Sequence, residues 1–367
     1  MNEEDWIAAG LLDPASREAD DRRALLRWLD ERGITLEQMI ESDARGRLFG
    51  LAGDLHARPE RPTLTLAEAA ERLGMSVELF AEIWRRHGFA EPASDEPVLT
   101  EREADGYAVL VDAVAFLGED AVLRLAGTVG TAVRRMAEAV ITAGIDQSPD
   151  MLLDRSGDEL ATAQVYELGM SMIPSFLDLV GTVFRLHHEA GNRHVELGYL
   201  LGDALGSTVR LAVGFADLSG YTALSRTLSR AELAELVNRF AAWASGELNT
   251  VGGRLVSQIG DAVMFVGSPD AVCRAGVALA AGPATAELPP LRAGLAFGDV
   301  VLEGGDYFGP VVNLAARLTS VAQPHETLID AALAERLDDG SWRKAATPAR
   351  SLKGINEPVE AFVLTAT

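Results

Sequence analysis

Cysteine is nearly absent: the 367 residues contain one, Cys273. An intrachain disulfide is excluded, and one cysteine is too few for a cysteine-built zinc site. Such usage fits a reducing compartment. Cys273 falls in an Ala-rich, helix-like stretch and reads as a buried side chain. Long hydrophobic runs are also missing. No segment approaches the ~18 consecutive apolar residues of a membrane span, and the longest uncharged stretch, Ala275–Ala286, is far too short. The first residues, MNEEDW, lack the basic-then-apolar pattern of a signal peptide. Positive charge is scarce, with 32 Lys and Arg against 55 Asp and Glu and a net charge of −23. Such a field repels nucleic acid and anionic lipid headgroups. A phosphate-bearing ligand therefore needs local cations, either metals or positioned Arg and Lys. These absences lead to the expectation of a cytoplasmic protein that binds no nucleic acid and spans no membrane.

What is present is an ordinary globular composition, 48% apolar and 24% charged. The length suits two domains. The first ~200 residues read as helix after helix. In DRRALLRWLDERG, Leu25, Leu26 and Leu29 share a stripe and Gly33 is a stop signal. Breaks are expected at Arg58–Pro62, Glu91–Pro97 and Ala190–Arg193. From about residue 207 short β-type runs alternate with helical ones. Val209–Ala216 is a strand. Ser229–Leu248 is a helix opened by a Ser229/Glu232 capping box, with Leu233, Leu236, Val237, Phe240 and Ala244 on one stripe. Leu255–Ile259 and Ala262–Val266 are strands separated by Gly260-Asp261, a hairpin signal. A helix at Asp270–Ala281, a strand at Leu291–Phe297, a helix at Pro310–Ser320 and a last strand at Val359–Leu364 complete the order. This is an α+β arrangement, a ferredoxin-like sheet with helices on one face, preceded by an all-α domain. The expected divisions are a helical domain over 1–190, a linker over 191–206 and the α+β domain over 207–367.

Two aspartates stand out. Asp217 follows the run Val213–Ala216 in GFADLSGYTAL, and Asp261 sits on the hairpin tip in IGDAVMF. If the strands are neighbours the carboxylates converge, and two close carboxylates need a proton or a cation between them. Mg²⁺ suits them, because it prefers oxygen ligands and accepts substrate phosphates in its shell. Spacing alone equally allows two solvated turn residues. In GGDYFGPVVNLAARL, Asp306 follows a Gly-Gly turn, Pro310 suits a first helical turn, and Asn313 and Arg317 share one helix face. Lys353, just before Gly354, is placed to reach a phosphate, or is simply exposed.

Taken together, these pieces resemble the catalytic domain of class III nucleotidyl cyclases. The pattern F-x-D-x-x-G-[FY]-T is present as Phe215, Asp217, Gly220, Tyr221 and Thr222. The hairpin G-D is Gly260-Asp261, and D-x-x-G-x-x-V-N-x-x-x-R is Asp306, Gly309, Val312, Asn313 and Arg317. The match covers about residues 207–367. The resemblance implies an adenylate cyclase that turns ATP into 3′,5′-cyclic AMP and pyrophosphate. Asp217 and Asp261 look like the ligands of two Mg²⁺ or Mn²⁺ ions, one activating the ribose 3′-hydroxyl and one holding the triphosphate. Arg317 would stabilise charge on the α-phosphate, Asn313 would orient the ribose, and Lys353 would meet the β- and γ-phosphates. Asp306 matches the position that accepts a hydrogen bond from the adenine amino group. The resemblance also implies a homodimer, with metal aspartates and base-reading residues from opposite subunits.

One position departs from the family. Its adenine-reading lysine lies four residues before the hairpin Asp, which here is Ser257. The neighbouring Gln258 alternates to the other strand face. Loss of a charge-assisted contact costs about 1.5–3 kcal/mol, or roughly 10–100-fold in base discrimination. Reduced turnover, relaxed base choice or a silent cyclase fold acting as a sensor or interaction module all stay open. In the N-terminal half, Thr65–Phe89 looks like two helices around Gly74, and the acidic composition argues against DNA binding. The whole arrangement resembles actinobacterial soluble cyclases with an N-terminal helical autoregulatory domain, which implies control by pH or a fatty acid. His187, His188 and His194 cluster near the boundary, where titration near neutrality biases conformations; surface histidines are the plainer reading. Apolar Leu168–Leu177 is expected to pack in a core, or else to line a lipid pocket.

Overall fold

The computed structural model describes residues 1–147, 158–200, 204–205, 208–283, 285 and 288–367. The chain divides into two compact units, Met1–His188 and Glu189–Thr367.

The first unit is helical among its described residues, its single β feature being an isolated bridge between Leu64 and Leu99. Its helices are α1 (Glu3–Ala8), α2 (Ala19–Glu31), α3 (Leu36–Ala44), α4 (Leu51–Ala57), α5 (Leu66–Leu73), α6 (Val77–Arg86), α7 (Glu101–Gly106), α8 (Ala108–Leu117), α9 (Glu119–Gln147) and α10 (Glu159–Ser171), and α11 (Ile173–Leu200) begins in it and ends past the division at His188. Side-chain caps set many of the starts. Asn2, Thr35, Thr65 and Thr100 each close a capping box with the residue three positions on. Leu25, Leu26 and Leu29 are fully buried with Trp6, Trp28 and Met39. Gly74 ends α5 in the left-handed conformation, as expected of the two-helix segment. α10 seats on α4 because Gly53 has no side chain: a Cβ there would lie 2.5 Å from the Tyr166 ring. The Tyr166 hydroxyl then donates to Asp54 at 2.7 Å, and Arg32 holds Glu167 through two contacts of 2.8 and 3.0 Å.

Two expectations fail along α10 and α11. No break forms at Ala190–Arg193; α11 runs through it, since a helix-interior Gly costs only ~1 kcal/mol. Leu168 and Leu177 do not enter a core but are 65% and 61% exposed: α10 turns its other face, with Ala163 and Tyr166, to the first helices. Among the described residues one helical run, Glu159–Asn192, is long and apolar enough to cross a membrane by length and composition alone, with a mean hydropathy of 1.2. It is interrupted by a turn at Met172.

The second unit is built on a nine-stranded sheet of order β3-β4-β2-β5-β7-β9-β8, with β1 on β2 and β6 on β5. The strands are β1 (Ala204–Leu205), β2 (Thr208–Leu218), β3 (Arg254–Ile259), β4 (Ala262–Gly267), β5 (Leu291–Glu303), β6 (Asp306–Phe308), β7 (Thr327–Asp330), β8 (Trp342–Ala346) and β9 (Ala361–Ala366). The helices are α12 (Tyr221–Leu224), α13 (Arg230–Val251), α14 (Pro269–Ala281), α15 (Pro310–Val321) and α16 (Ala331–Ala334). Pairing is antiparallel except between β5 and β7, and the parallel step uses α15 in its crossover. Contrary to the one-face expectation, helices cover both faces of the sheet. Ala212, Ala216 and Leu218 of β2 pack with α13 and α14, whereas Leu211 and Val213 pack with α15. The cause is visible in β2, whose central residues 211–214 are all buried, the mark of a strand sandwiched between two layers.

Candidate active site

The centre of the sheet positions the aspartates. β2 pairs with β4 on one side and β5 on the other, and the register sets Asp217 opposite Ala262 and Arg292. Asp261 immediately precedes Ala262 in the β3–β4 turn, where Gly260 takes φ 59°. The Leu218 N–H donates to the Asp261 carbonyl at 3.1 Å. The two aspartates are therefore neighbours across a strand pair. Burial pushes the Asp261 carboxyl above the usual range and the Asp217 charge pushes it the same way, while its own amide N–H and the Arg292 charge oppose this. Asp217 is not a solvated strand end. Its side chain is 19% exposed and it accepts two hydrogen bonds from Arg292, Nε to Oδ1 at 2.7 Å and Nη2 to Oδ2 at 3.1 Å. Arg292 also donates through Nη1 to the Ser320 carbonyl at the end of α15, at 3.0 Å. Sequence reasoning missed this residue. Its signal was an arginine inside an apolar strand, where a buried charge demands a partner.

Beyond Asp217 the chain turns through Ser219, whose buried Oγ has no hydrogen-bond partner, and Gly220, left-handed at φ 81°. Tyr221 packs on the α13 side of the sheet, and Thr222 is exposed. Phe215, half-buried on the α15 face, lies across β4's Met264 from Ser257. Ser257 therefore shares the α15 face with Asp217, two residues along. Gln258 faces the other way, as expected, and its Nε2 donates to the Val237 carbonyl of α13 at 3.3 Å.

Asp306 opens β6 opposite Glu303, at the far end of β5 from Arg292. It is exposed and accepts the Tyr307 N–H at 2.8 Å. The Arg254 guanidinium of β3 lies 5.9 Å from the Tyr307 ring of β6. Asn313 and Arg317 are both exposed on α15. The helix is seated by Gly294 of β5, where a Cβ would lie 2.1 Å from the Thr319 nitrogen. Lys353 is exposed in a turn completed by Gly354 at φ 83°. Arg350 ties that segment to the end of α15 by donating to the Val321 carbonyl at 3.1 Å.

Asp217 and Asp261 supply hard oxygen donors, the ligand type that Mg²⁺ and Mn²⁺ take. Among the described residues no group of three or more His, Cys, Asp or Glu converges to hold a metal. Two carboxylates fit ions whose remaining ligands are water and substrate phosphate oxygens.

No protein-family model matches the chain. It is similar to an uncharacterized protein of Mycobacterium tuberculosis, 42% identical over 360 residues, 97% of this chain and 92% of that one. An adenylate cyclase of Streptomyces coelicolor is 35% identical over 282 residues, 74% of this chain and 70% of that one. A pH-sensitive adenylate cyclase of Mycobacterium tuberculosis is 29% identical over 362 residues, 93% and 87% of the two chains. The crystal structure of the adenylyl cyclase CyaB from P. aeruginosa aligns with a TM-score of 0.37 at 25% identity, covering 44% of this chain and 96% of that one. The chain belongs to the class III nucleotidyl cyclases, among the actinobacterial adenylate cyclases of that family.

Proposed function

We propose that the chain converts ATP to cyclic AMP and pyrophosphate at sites shared by two copies, with Asp217 and Asp261 holding two Mg²⁺ or Mn²⁺ ions. The observation that carries this reading is the adjacency of the two aspartates across the β2–β4 pair, with the Asp217 charge acting on the Asp261 carboxyl. When bound, the ions supply activation of the ribose 3′-hydroxyl and neutralisation of the triphosphate. The chain's own groups do the rest. Asn313 orients the ribose and Arg317 meets charge growing on the α-phosphate. Lys353 meets the β- and γ-phosphates, and Phe215 with the Gly220–Thr222 turn frames the substrate. Asp306 accepts from the adenine amino group, and Ser257 offers a hydroxyl where the family has a lysine. Sharing between two copies is supported by distance. Asp217 and Asp306 pair with opposite ends of β5, on the order of 30 Å apart at the usual strand rise.

Residues 1–190 act in this reading as a regulatory domain in cis, answering to pH or a fatty acid. In its support, the relative named pH-sensitive aligns over 93% of the chain, through both units. His187 and His188 are exposed on α11; the His194 side chain lies outside the described residues.

The test is cyclic-nucleotide production by the full chain from ATP and from GTP with Mn²⁺. Cyclic AMP from ATP is expected, with Asp217→Ala reducing the rate by ~100-fold or more. A second reading, a silent cyclase fold serving as a sensor, is favoured by the Arg292 guanidinium on both Asp217 oxygens and by Ser257. It is the outcome if neither nucleotide gives product.

A further inference from the structure

We propose that Arg350 is a positioning residue, which clamps the loop carrying Lys353 to the end of α15 so that Lys353, Asn313 and Arg317 meet a triphosphate as one rigid set. This role rests on the reading of those three residues proposed above. The chemistry starts from the end of a helix. The last carbonyls of α15 have no intrahelical partner, and the helix dipole makes that end attractive to cations. Two arginines take them. Arg292 of β5 donates through Nη1 to the Ser320 carbonyl at 3.0 Å, and Arg350 donates through Nη1 to the Val321 carbonyl at 3.1 Å. Arg350 lies in the connection between β8 and β9, where its main chain exchanges two hydrogen bonds of 2.9 Å with Val359. That pair closes off residues 351–358 as a loop, with Lys353 exposed in it.

Leu352, next to Lys353, is buried in one apolar cluster with Leu318 and Ala322, and Leu314 packs against that cluster. Each of the three residues thus has an anchor in the cluster as its neighbour in sequence: Asn313 has Leu314, Arg317 has Leu318 and Lys353 has Leu352. Apolar burial is non-directional. It holds the loop down without fixing where along α15 the loop sits. A guanidinium–carbonyl bond is directional and charge-assisted, and here it ties the closing pair of the loop to one carbonyl. Arg350 also carries a cost that packing alone does not require. Its Nε is buried and, among the described residues, has no hydrogen-bond partner, and an unpaired buried donor is destabilising. A methionine fills irregular space without that cost. What the arginine adds is the bond from its Nη1.

The test uses the full chain in a double-mutant cycle. Lys353→Met alone is expected to lower kcat/KM for ATP by about 10–100-fold, the worth of one charge-assisted contact. Arg350→Met is expected to lower it by ~10-fold, and in that background Lys353→Met should cost no more than ~3-fold, because the lysine is already misplaced. Pyrophosphate, which offers phosphates without a base, should inhibit Arg350→Met ~10-fold more weakly than the parent chain. Arg350→Lys keeps a cationic donor and should stay within ~3-fold of the parent on both counts. A further readout does not depend on turnover. The Ile355 and Val359 amides donate to Leu352 and Arg350, and their hydrogen exchange should quicken by ~10-fold or more in Arg350→Met but not in Arg350→Lys. Parent exchange rates in Arg350→Met, or a full Lys353→Met loss in the Arg350→Met background, overturn the proposal. A parent chain that makes no cyclic AMP, or a Lys353→Met chain as active as the parent, defeats the catalytic reading instead. The exchange rates then still decide whether Arg350 clamps the loop.

Discussion

Ser257 places a hydroxyl on the α15 face, across β4 from Phe215 and two residues along from Asp217. In the reading of Asp306 as the adenine acceptor, this strand offers the base no positive charge at that point. Ser257→Lys is therefore expected to raise the ratio of kcat/KM for ATP over GTP by about 10–100-fold, the worth of one charge-assisted contact. An unchanged ratio would show that the base is read elsewhere. A second residue-scale expectation concerns Asp330. Burial pushes its carboxyl up to about 6, against main-chain N–H donors from Leu333 and Phe297 at 3.0 and 3.3 Å. The folded value lies above the unfolded one of ~3.9. Between about pH 4 and 6 the folded state therefore holds a proton that the unfolded chain has released, and stability from this group falls as pH rises through that window. Asp330→Asn keeps an acceptor oxygen and removes the charge. Urea unfolding should show it gaining about 1–3 kcal/mol over the parent chain on going from pH 5 to pH 8. A difference independent of pH would mean that Asp330 is ionised throughout. At this scale the sequence exposed Asp217, Asp261, Asn313 and Arg317 as candidates by their spacing. It did not expose the Arg292–Asp217 pair, because that contact depends on the β2–β5 register, which joins residues 75 positions apart.

Elements were legible where their ends carry local chemistry. α13 begins at the Ser229 capping box and stops at left-handed Gly252. The β3–β4 hairpin turns at Gly260-Asp261, and α15 opens on Pro310. β7 and β8 were not legible: Thr327–Asp330 is too short to show a period, and Trp342–Ala346 sits at the sheet edge, short and largely exposed, with no alternation of apolar and polar residues. The length of β5 was also missed, since it runs on past Gly298 to Glu303 by pairing first with β2 and then with β6. Gly294 shows why α15 lies where it does. The helix meets β5 backbone to backbone, and an added Cβ would lie 2.1 Å from the Thr319 nitrogen and 2.6 Å from the Ala315 carbonyl oxygen. Main chain cannot step aside as a side chain can. Gly294→Ala is expected to destabilise the fold by about 2–4 kcal/mol through overpacking and displacement of α15. It should also lower cyclase activity in the molecules that remain folded, because Asn313 and Arg317 move with the helix. Unfolding by denaturant and activity per folded molecule separate the two effects, and a fully stable variant would mean that the helix–strand contact is looser than described.

For the molecule as a whole, the sequence pattern showed two dissimilar halves but not the arrangement of the site, which depends on where the ends of β5 lie. Asp217 belongs to one end. Asp306 belongs to the other, and Asn313 follows it on the first turns of α15, beside Val311 over Gly298. A chain that works with a second copy should show this in mixtures of two inactive variants. In the proposed reading Asp217→Ala damages the metal-binding half of a site, and Asn313→Ala damages the ribose-binding half. In a mixed dimer one shared site receives both changes and the other receives neither. With random assortment half of the dimers are mixed, so co-expression of the two variants should restore about a quarter of the parent activity per chain. Either variant expressed alone should stay near background. Two differently tagged chains purified through both tags contain mixed dimers alone, and their activity should rise to about half of the parent value. If the doubly purified pair stays as inactive as its components, each chain builds its site from its own residues, and the distance along β5 must be bridged within one copy.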